Sequence, residues 1–279
     1  MERRGCRSKS KKLIYFLNFK IDSHILVMIY KYRKLSKNDN TQNLLRNGEL
    51  FFPSPKKLND PFDSLISINV DELSNMEIDF YLKKIQNYLI VKGENPGLIN
   101  SILSSYKNNK QKLPGLIDDN NDDVVNQKIG VFSSSTNWDN LLMWSHYGDN
   151  HAGVVVSINE KMILKNHPYL IAGLVNYPED NKPPILLPSM KDEQAMYNRF
   201  FYKAKDWKYE NEFRFINDLQ PTDLLRKIYC KDPIEEVTVG FNCPLIEFTK
   251  VMEYCKSNSI RFFQTKKVPH TFLIDRVEI

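Results

Sequence analysis

The chain has 279 residues, of which 42% are hydrophobic and 26% are charged. These fractions are typical of a globular protein with a sizeable core, and they exclude collagen-like, low-complexity and wholly disordered proteins. The formal net charge of +5 arises within residues 1–12, which hold six basic side chains and one acidic side chain. Because the remaining residues are electrically neutral, the charge alone does not predict a nucleic-acid-binding protein.

Residues 1–27 are predicted to form a basic extension that is poorly ordered at its start. Their apolar run, 13–19, is short and lacks the small-residue cleavage site of a secretory leader. No stretch of the sequence reaches the ~18 apolar residues of a membrane span, so no membrane partner is expected. The four cysteines show no CxxC spacing, which is typical of reduced thiols and predicts a cytoplasmic protein.

The first predicted element is a strand over 24–33, where β-branched and aromatic residues predominate. Successive side chains of a strand point to opposite faces of its sheet. This alternation places Lys31 and Arg33 on one face and Tyr32 on the other.

Helical spacing dominates a later segment at about 71–128, which we interpret as a helical insertion. Short strands predominate on either side of it. Besides the first strand, strands are predicted at 49–52, 129–134, 153–158, 169–177, 208–216, 234–240, 260–265 and 271–278. Helices are predicted at 41–47, 140–147, 191–204 and 244–256. Strands with interspersed helices and few βαβ repeats predict an α+β fold with a mixed, mostly antiparallel sheet, in a single domain over 28–279.

The predicted strand at 208–216 carries alternating charges. Period 2 places Lys208, Glu210, Glu212 and Arg214 on one face of it. One interpretation is a solvated charged face whose ion pairs compensate each other. The other is a pair of carboxylates that holds a sugar hydroxyl and stabilises a developing positive charge, with the pKa of one carboxyl raised by the other.

Two further features carry polar groups suited to a binding site. The predicted strand at 129–134 ends in a hydroxyl-rich segment that includes Ser133 and Ser135, which either caps the following helix or contacts a ligand. Arg33 at the end of the first strand is either a surface residue or a bidentate phosphate ligand.

The order Arg33, then Phe132–Ser135, then Glu210–Glu212 resembles the arginine, serine and glutamate triad of ADP-ribosyltransferases, which also carry a Glu-x-Glu pair on a strand. The resemblance implies a split-sheet fold and NAD as the substrate. It implies transfer of ADP-ribose to a macromolecular acceptor, either protein or nucleic acid, or hydrolysis of NAD. It also implies a bacterial toxin or defence effector with an antitoxin or immunity partner.

A second resemblance covers the chain from about residue 28 to its end. The phrases YKYR at 30–33, LNDPFD at 58–63 and MWSHY at 143–147, with the segment 207–214, are similar to phrases of a mainly bacterial, uncharacterised family, domain of unknown function 2971. This resemblance implies membership of that family but does not indicate which activity the protein has.

The transferase resemblance implies how NAD is held. Arg33 binds a phosphate, because a planar guanidinium gives charge and orientation together. Ser133 or Ser135 holds the strand edge and contacts the ribose next to the nicotinamide. The remaining residues expected at the NAD site are Tyr32, Phe132, His146 and Tyr147.

The same resemblance implies two catalytic carboxylates. Glu212 accepts a hydrogen bond from the ribose 2′-hydroxyl, and this bond strengthens as the sugar becomes an oxocarbenium ion. Glu210 orients or deprotonates the acceptor. The nicotinamide ring stacks on Tyr147, Phe132 or Trp144.

Two other functions are consistent with these residues. A metal-dependent phosphodiesterase or nuclease would use Asp60, Asp63, the two glutamates and a histidine. However, His146 and His151 are five residues apart, so they do not share one helix face, and no metal is expected. A non-enzymatic binding or regulatory module would instead use the charged strand as a partner surface.

Overall fold

The computed structural model describes residues 28–35, 39–64, 71, 73–109, 125–185, 187, 190–219 and 226–279. The predicted basic extension at 1–27 lies outside these residues. So does the middle of the predicted helical insertion, at 110–124.

Within the described residues, ten strands form two sheets. They are β1 (Met28–Arg33), β2 (Glu49–Phe51), β3 (Ile129–Ser135), β4 (Val154–Asn159), β5 (Ile171–Leu174), β6 (Glu212–Asp218), β7 (Lys227–Tyr229), β8 (Ile234–Val239), β9 (Arg261–Lys267) and β10 (Ile274–Glu278). Eight of them form one sheet in the order β10-β9-β8-β4-β1-β3-β6-β5, and β2 pairs with β7. The pairs are antiparallel except β8 with β9. The predicted α+β fold with a mostly antiparallel sheet is confirmed.

The helices lie between these strands in the chain. They are α1 (Asp39–Asn47), α2 (Asn75–Val91), α3 (Pro96–Asn108), α4 (Leu141–His146), α5 (Glu160–Asn166), α6 (Asp192–Phe200) and α7 (Leu245–Ser257). Ser74 and Glu77 form a reciprocal capping box at the start of α2. The helices α2 and α3 pack on each other. Among the residues that the structure describes, no helix has the length and apolar character needed to cross a bilayer.

The main core lies on one face of the large sheet. Phe132 of β3 and Phe213 and Phe215 of β6 pack there with Leu44 of α1 and Val251 of α7. Alternation turns the intervening side chains of β3 and β6 to the opposite face. That opposite face carries Ser133, Glu212 and Arg214 of the candidate site. The register of β1 with β4 places Lys31 and Arg33 on the face of Val154 and Val156, so they reach the site at the gap between β1 and β3.

The large sheet opens between β1 and β3. The two strands are paired at one position, Tyr30 with Ser135. Each of them is fully paired on its other side, β1 with β4 and β3 with β6. Because β1 and β3 diverge beyond the single pair, a gap forms between neighbouring strands of one sheet.

The predicted strand at 208–216 is wrong at its start. Residues Lys205–Glu210 form a 3-10 helix, and Asn211 ends it in the left-handed region at φ 42°. The strand β6 begins only at Glu212. Lys208 therefore points to solvent, where it pairs with Glu179 at 3.1 Å, rather than sharing a face with the two site glutamates.

Gly153 permits a close backbone approach at the end of β1. An added Cβ would lie 2.3 Å from the carbonyl oxygen of Arg33 and 2.8 Å from that of Gly148. Gly153→Ala is therefore expected to lower the free energy of unfolding by ~1–3 kcal/mol, measured by urea denaturation, because backbone atoms would have to move. The matched control is Gly173→Ala, whose nearest neighbour is Phe201 at 3.5 Å. Equal effects of the two substitutions would contradict the prediction.

Candidate functional site

A cavity of about 300 Å³ lies at the gap between β1 and β3. Its volume is at the lower end of the range for small-molecule sites. Seven of the residues predicted for the NAD site or for catalysis line it, namely Tyr32, Arg33, Ser133, Ser135, Tyr147, Glu210 and Glu212. The structure thus brings together three segments that are far apart in the chain.

Two predicted residues do not line the cavity. Phe132 is buried on the core face of β3, where its ring contacts those of Phe52 and Phe215. Period 2 separates it from Ser133, so it is not in position to stack on a ligand in the cavity. His146 lies outside the cavity lining, with its Nδ1 3.1 Å from the Tyr209 hydroxyl.

Arg214 joins two carboxylates below the cavity. Its Nη1 and Nη2 donate to Asp63 at 2.8 and 2.6 Å, and its Nε and Nη2 donate to Glu212 at 2.6 and 2.8 Å. All three side chains are buried. Burial lowers the pKa of Arg214, but the two carboxylates outweigh it and raise that pKa above its usual value. The charged strand therefore does not present a solvated face.

Lys203 connects the same carboxylates to Glu210. Its Nζ lies 2.5 Å from Glu210, 3.2 Å from Glu212 and 3.6 Å from Asp63. Burial lowers the pKa of Lys203, but Glu212 and Glu210 outweigh it and raise that pKa. Lys203 therefore remains charged and holds the two glutamates together.

The two glutamates have pKa shifts of opposite sign. Burial raises the pKa of Glu212, but Arg214 and Lys203 outweigh it and hold that pKa well below the usual carboxyl range. Burial also raises the pKa of Glu210, and the neighbouring Glu212 adds to this while Lys203 only partly opposes it. One carboxylate is thus a fixed negative charge, and the other is suited to exchange a proton.

Tyr147 connects Glu210 to the cavity wall. Its hydroxyl donates to Glu210 Oε1 at 2.7 Å and accepts from Asn59 Nδ2 at 2.5 Å. Burial and the negative Glu210 raise the pKa of Tyr147, so it acts as a hydrogen-bond donor at neutral pH. Tyr147 and Asn59 together fix the orientation of the Glu210 carboxyl group.

The two predicted serines have different hydrogen-bond partners in the structure. Ser135 is fully buried, donates to the Glu210 carbonyl at 2.7 Å and accepts from the Asn137 amide at 3.0 Å. Its hydroxyl therefore supports the turn that carries Glu210. Ser133 is only partly buried and hydrogen-bonds Glu212 with its side chain. Ser133 is therefore the serine with a hydroxyl placed between Glu212 and the cavity.

Tyr32 and Trp144 are committed to the protein interior. The Tyr32 hydroxyl donates to the Asn137 carbonyl at 2.8 Å, and its ring meets Trp144 edge-on at 5.5 Å. Trp144 is fully buried and donates from Nε1 to the Trp138 carbonyl at 2.7 Å. Trp144 is therefore not placed to stack on nicotinamide, and Tyr32 contributes only to the wall of the cavity.

Arg33 is a partly buried cation that lines the cavity. Its Nε is shielded from solvent and makes no hydrogen bond to any residue that the structure describes. Burial lowers the pKa of Arg33 to about 10, and no carboxylate among the described residues opposes this. A guanidinium stays charged under all ordinary conditions, so its environment favours an anionic ligand.

The residues that a metal-dependent enzyme would use do not all lie at one place. Asp63 lies beside the two glutamates, whereas Asp60 accepts from the Phe62 amide at 2.9 Å. His151 is stacked between Trp144 and Phe241, away from His146. Within the described ranges, no group of three or more histidine, cysteine, aspartate or glutamate side chains is arranged to hold a metal ion.

Sequence patterns did not reveal Lys203 and Lys31 as residues of this cavity. Lys203 lies just beyond α6, where no periodicity distinguishes it from a surface lysine. The only sequence feature that pointed to Lys31 was the strand alternation, which places it on the same face as Arg33. Asp63 lies in the LNDPFD phrase, which contributed to the family resemblance. That phrase gave no indication that Asp63 pairs with Arg214.

Residues 143–215 match the sequence model of a family described as a protein of unknown function, DUF2971. The matched segment contains Tyr147, Lys203 and both site glutamates, but neither Arg33 nor Ser133. A search of curated proteins and a search of solved structures each gave no match. The match over residues 143–215 supports the DUF2971 resemblance that the sequence indicated for that segment.

Proposed function

We propose that the protein cleaves the bond between nicotinamide and ribose in NAD and transfers ADP-ribose to a macromolecular acceptor or to water. The observation that carries this proposal is the convergence of Arg33, Ser133 and the pair Glu210 and Glu212 on one cavity. These residues come from β1, from β3 and from the 3-10 helix and β6. Arg33 supplies a cation that can bind an anionic group, and Ser133 supplies a hydroxyl. The two glutamates supply carboxyl groups whose pKa values are shifted in opposite directions.

Glu212 acts through its charge in this proposal. It accepts hydrogen bonds from Arg214 on both oxygens, and also from Lys203 and Ser133. A carboxylate can accept about four hydrogen bonds, so these bonds occupy nearly all of its acceptor sites. Glu212 therefore has little capacity for the ribose hydroxyl that the sequence assigned to it. Its fixed negative charge stabilises the oxocarbenium ion that forms as the glycosidic bond breaks.

Glu210 is the acid–base residue. As the carbon–nitrogen bond breaks, nicotinamide leaves as a neutral molecule with the bonding electron pair. The acceptor oxygen or nitrogen then bonds to the ribose carbon, and its proton passes to Glu210. A carboxyl with a raised pKa is suited to this transfer, because its pKa is closer to the working pH.

The site favours this chemistry over a metal-dependent reaction. Each of Asp63, Glu210 and Glu212 is already bonded to Lys203 or Arg214. A divalent cation would have to displace these buried ammonium and guanidinium groups. Because the carboxylates offset the cost of burying those groups, the displacement would leave them as uncompensated buried charges. The two cations offset two of the three carboxylate charges, so the cluster can stabilise a positive charge that develops next to it.

Nicotinamide release tests the proposal. The full chain is incubated with NAD and a mixture of arginine-rich protein and RNA as acceptors, and free nicotinamide is measured by chromatography. Wild type is expected to release nicotinamide, and Glu212→Gln is expected to reduce the rate by ~100-fold or more, as for loss of one electrostatic stabiliser. Glu179→Gln, an exposed carboxylate paired with Lys205 and Lys208, is the control and is expected to match wild type.

The control for folding is the melting temperature of each variant. A wild-type protein that neither binds NAD nor releases nicotinamide with these acceptors would refute the proposal. Equal rates for Glu212→Gln and wild type would remove Glu212 from the mechanism.

A further inference from the structure

Lys31 and Arg33 are basic side chains at the cavity that have no carboxylate partner within the described part of the chain. Arg33 makes no ion pair there, and its buried Nε has no hydrogen-bond partner. Lys31 likewise makes no ion pair with a described carboxylate. Its Nζ donates to the Ser133 carbonyl and lies 4.7 Å from the centre of the Phe132 ring. Both side chains line the cavity and extend from the same strand, β1.

An unpaired buried charge is costly, and the two side chains differ in how they can relieve that cost. Arg33 cannot lose its proton at ordinary pH. Lys31 can, and the resulting neutral amine still donates to the Ser133 carbonyl. Burial first, and then the nearby Arg33, lower the pKa of Lys31 well below its usual value, against weaker opposition from Glu212 and Glu210.

We propose that Lys31 and Arg33 form a subsite for a diphosphate group, and that an occupying diphosphate causes Lys31 to take up a proton. The two residues are separated by one position on β1, so their Cα atoms are ~7 Å apart and their side chains share a face. This spacing suits a group with two adjacent anionic centres better than a single carboxylate. The inference rests on the proposed function only in that the diphosphate of NAD would be the natural occupant.

The proton uptake follows from the charges that face Lys31. These are Arg33 on β1, Glu212 on β6 and Glu210 on the preceding 3-10 helix, while β3 contributes the uncharged Ser133 and Phe132. A diphosphate beside Arg33 neutralises the repulsion from that guanidinium and adds an attraction, so it raises the pKa of Lys31. Between the pKa of the free protein and that of the complex, binding takes up a proton.

The sign of the pH dependence follows from this linkage. Because the complex binds more protons than the free protein, diphosphate affinity is highest at low pH and falls as the pH rises through that interval. The decrease is at most about tenfold per pH unit for one proton.

Titration calorimetry tests the subsite directly. Inorganic pyrophosphate and ADP-ribose are titrated into the full chain at constant ionic strength, in two buffers that differ in ionisation enthalpy. Adenosine, which has no phosphate, is the ligand control. We expect both diphosphates to bind with uptake of up to about one proton, and adenosine to bind at least tenfold more weakly than ADP-ribose.

The variant Lys31→Met should bind at least tenfold more weakly and lose the proton uptake. It removes a poorly solvated amine, so its melting temperature should equal or exceed that of wild type. The matched control is Lys34→Gln, one residue beyond β1, where the exposed lysine pairs with Asp149 at 3.8 Å. This control should keep both the affinity and the uptake of wild type.

The outcomes separate this inference from the proposed function. Diphosphate binding with proton uptake, but without nicotinamide release from NAD, supports the subsite and refutes the proposed function. Nicotinamide release with no proton uptake, or an uptake unchanged in Lys31→Met, overturns the subsite alone. Failure of both diphosphates to bind also overturns the subsite.

Discussion

Replacing Arg214 with methionine is expected to lower the free energy of unfolding by about 3–5 kcal/mol, as for a buried ion pair that loses one partner. Arg214 is fully buried and donates to both Asp63 and Glu212. Its removal leaves two buried carboxylates with only Lys203 to compensate them. Urea denaturation at pH 7 measures the loss.

The control for this prediction is a pair at the surface. Lys250 of α7 pairs with Glu247 at 2.9 Å while 64% of its side chain is exposed, so Lys250→Met should change the free energy of unfolding by less than ~1 kcal/mol. Adding Asp63→Asn to Arg214→Met should recover part of the loss, because one stranded charge is removed. A loss below ~1 kcal/mol for Arg214→Met would show that Asp63 and Glu212 do not depend on the guanidinium.

The pH dependence of stability gives a second readout of the same contact. Glu212 has a folded-state pKa below its usual value of 4.5. Its contribution to stability is therefore fully present above that value, and it is lost as the pH falls through the folded-state pKa. In Arg214→Met the principal cause of the lowered pKa is gone, so the part of the acid-induced loss that Glu212 contributes should become smaller.

Glu210→Gln is expected to reduce nicotinamide release or ADP-ribose transfer by ~100-fold to 10,000-fold, the range for loss of a general acid or base. The affinity for NAD should change little, because the proposed diphosphate contacts lie at Lys31 and Arg33. The amide keeps the shape of the carboxylate but cannot accept the proton of the acceptor. Initial rates with saturating NAD, together with binding measured by calorimetry, check this prediction.

Tyr147→Phe tests whether the pKa of Glu210 controls the reaction. The Tyr147 hydroxyl donates to Glu210 and thereby favours its ionised form. Without that bond, the pKa of Glu210 should rise further and the acidic limb of the rate–pH profile should move to higher pH. The matched control is Tyr229→Phe, which removes a hydroxyl that donates to Glu49 at 3.1 Å, outside the cavity lining. An identical profile for Tyr147→Phe and wild type would contradict a base role for Glu210.

Local patterns predicted the faces of the strands but not the partners of the charged groups. The alternation of Phe213 and Phe215 with Glu212 and Arg214 separated the core face from the polar face of β6. The same alternation extended the predicted strand through Glu210, although Asn211 in the left-handed region interrupts it. Alternation within the strand does not predict such a break.

The serines show the same limit. The resemblance named Ser133 or Ser135 as the contact of the ribose, and both line the cavity. It did not separate their roles, because the carbonyl that accepts from Ser135 belongs to Glu210, far along the chain. Only the packing of β3 against the 3-10 helix decides which hydroxyl is left for a ligand.

The net charge, the α+β class and the candidate residues Arg33, Ser133, Glu210 and Glu212 were all determined by the sequence alone. Composition does not depend on the fold, and period-2 alternation depends only on neighbouring residues, so both can be read without the tertiary structure. The tertiary structure decided that the glutamates are buried rather than solvated, and it placed Lys203 and Arg214 beside them as ion-pair partners. It also decided that β1 and β3 diverge and expose Arg33 and Lys31 to one cavity. Contacts such as that between Asp63 and Arg214 join residues 151 positions apart, and no local pattern encodes them.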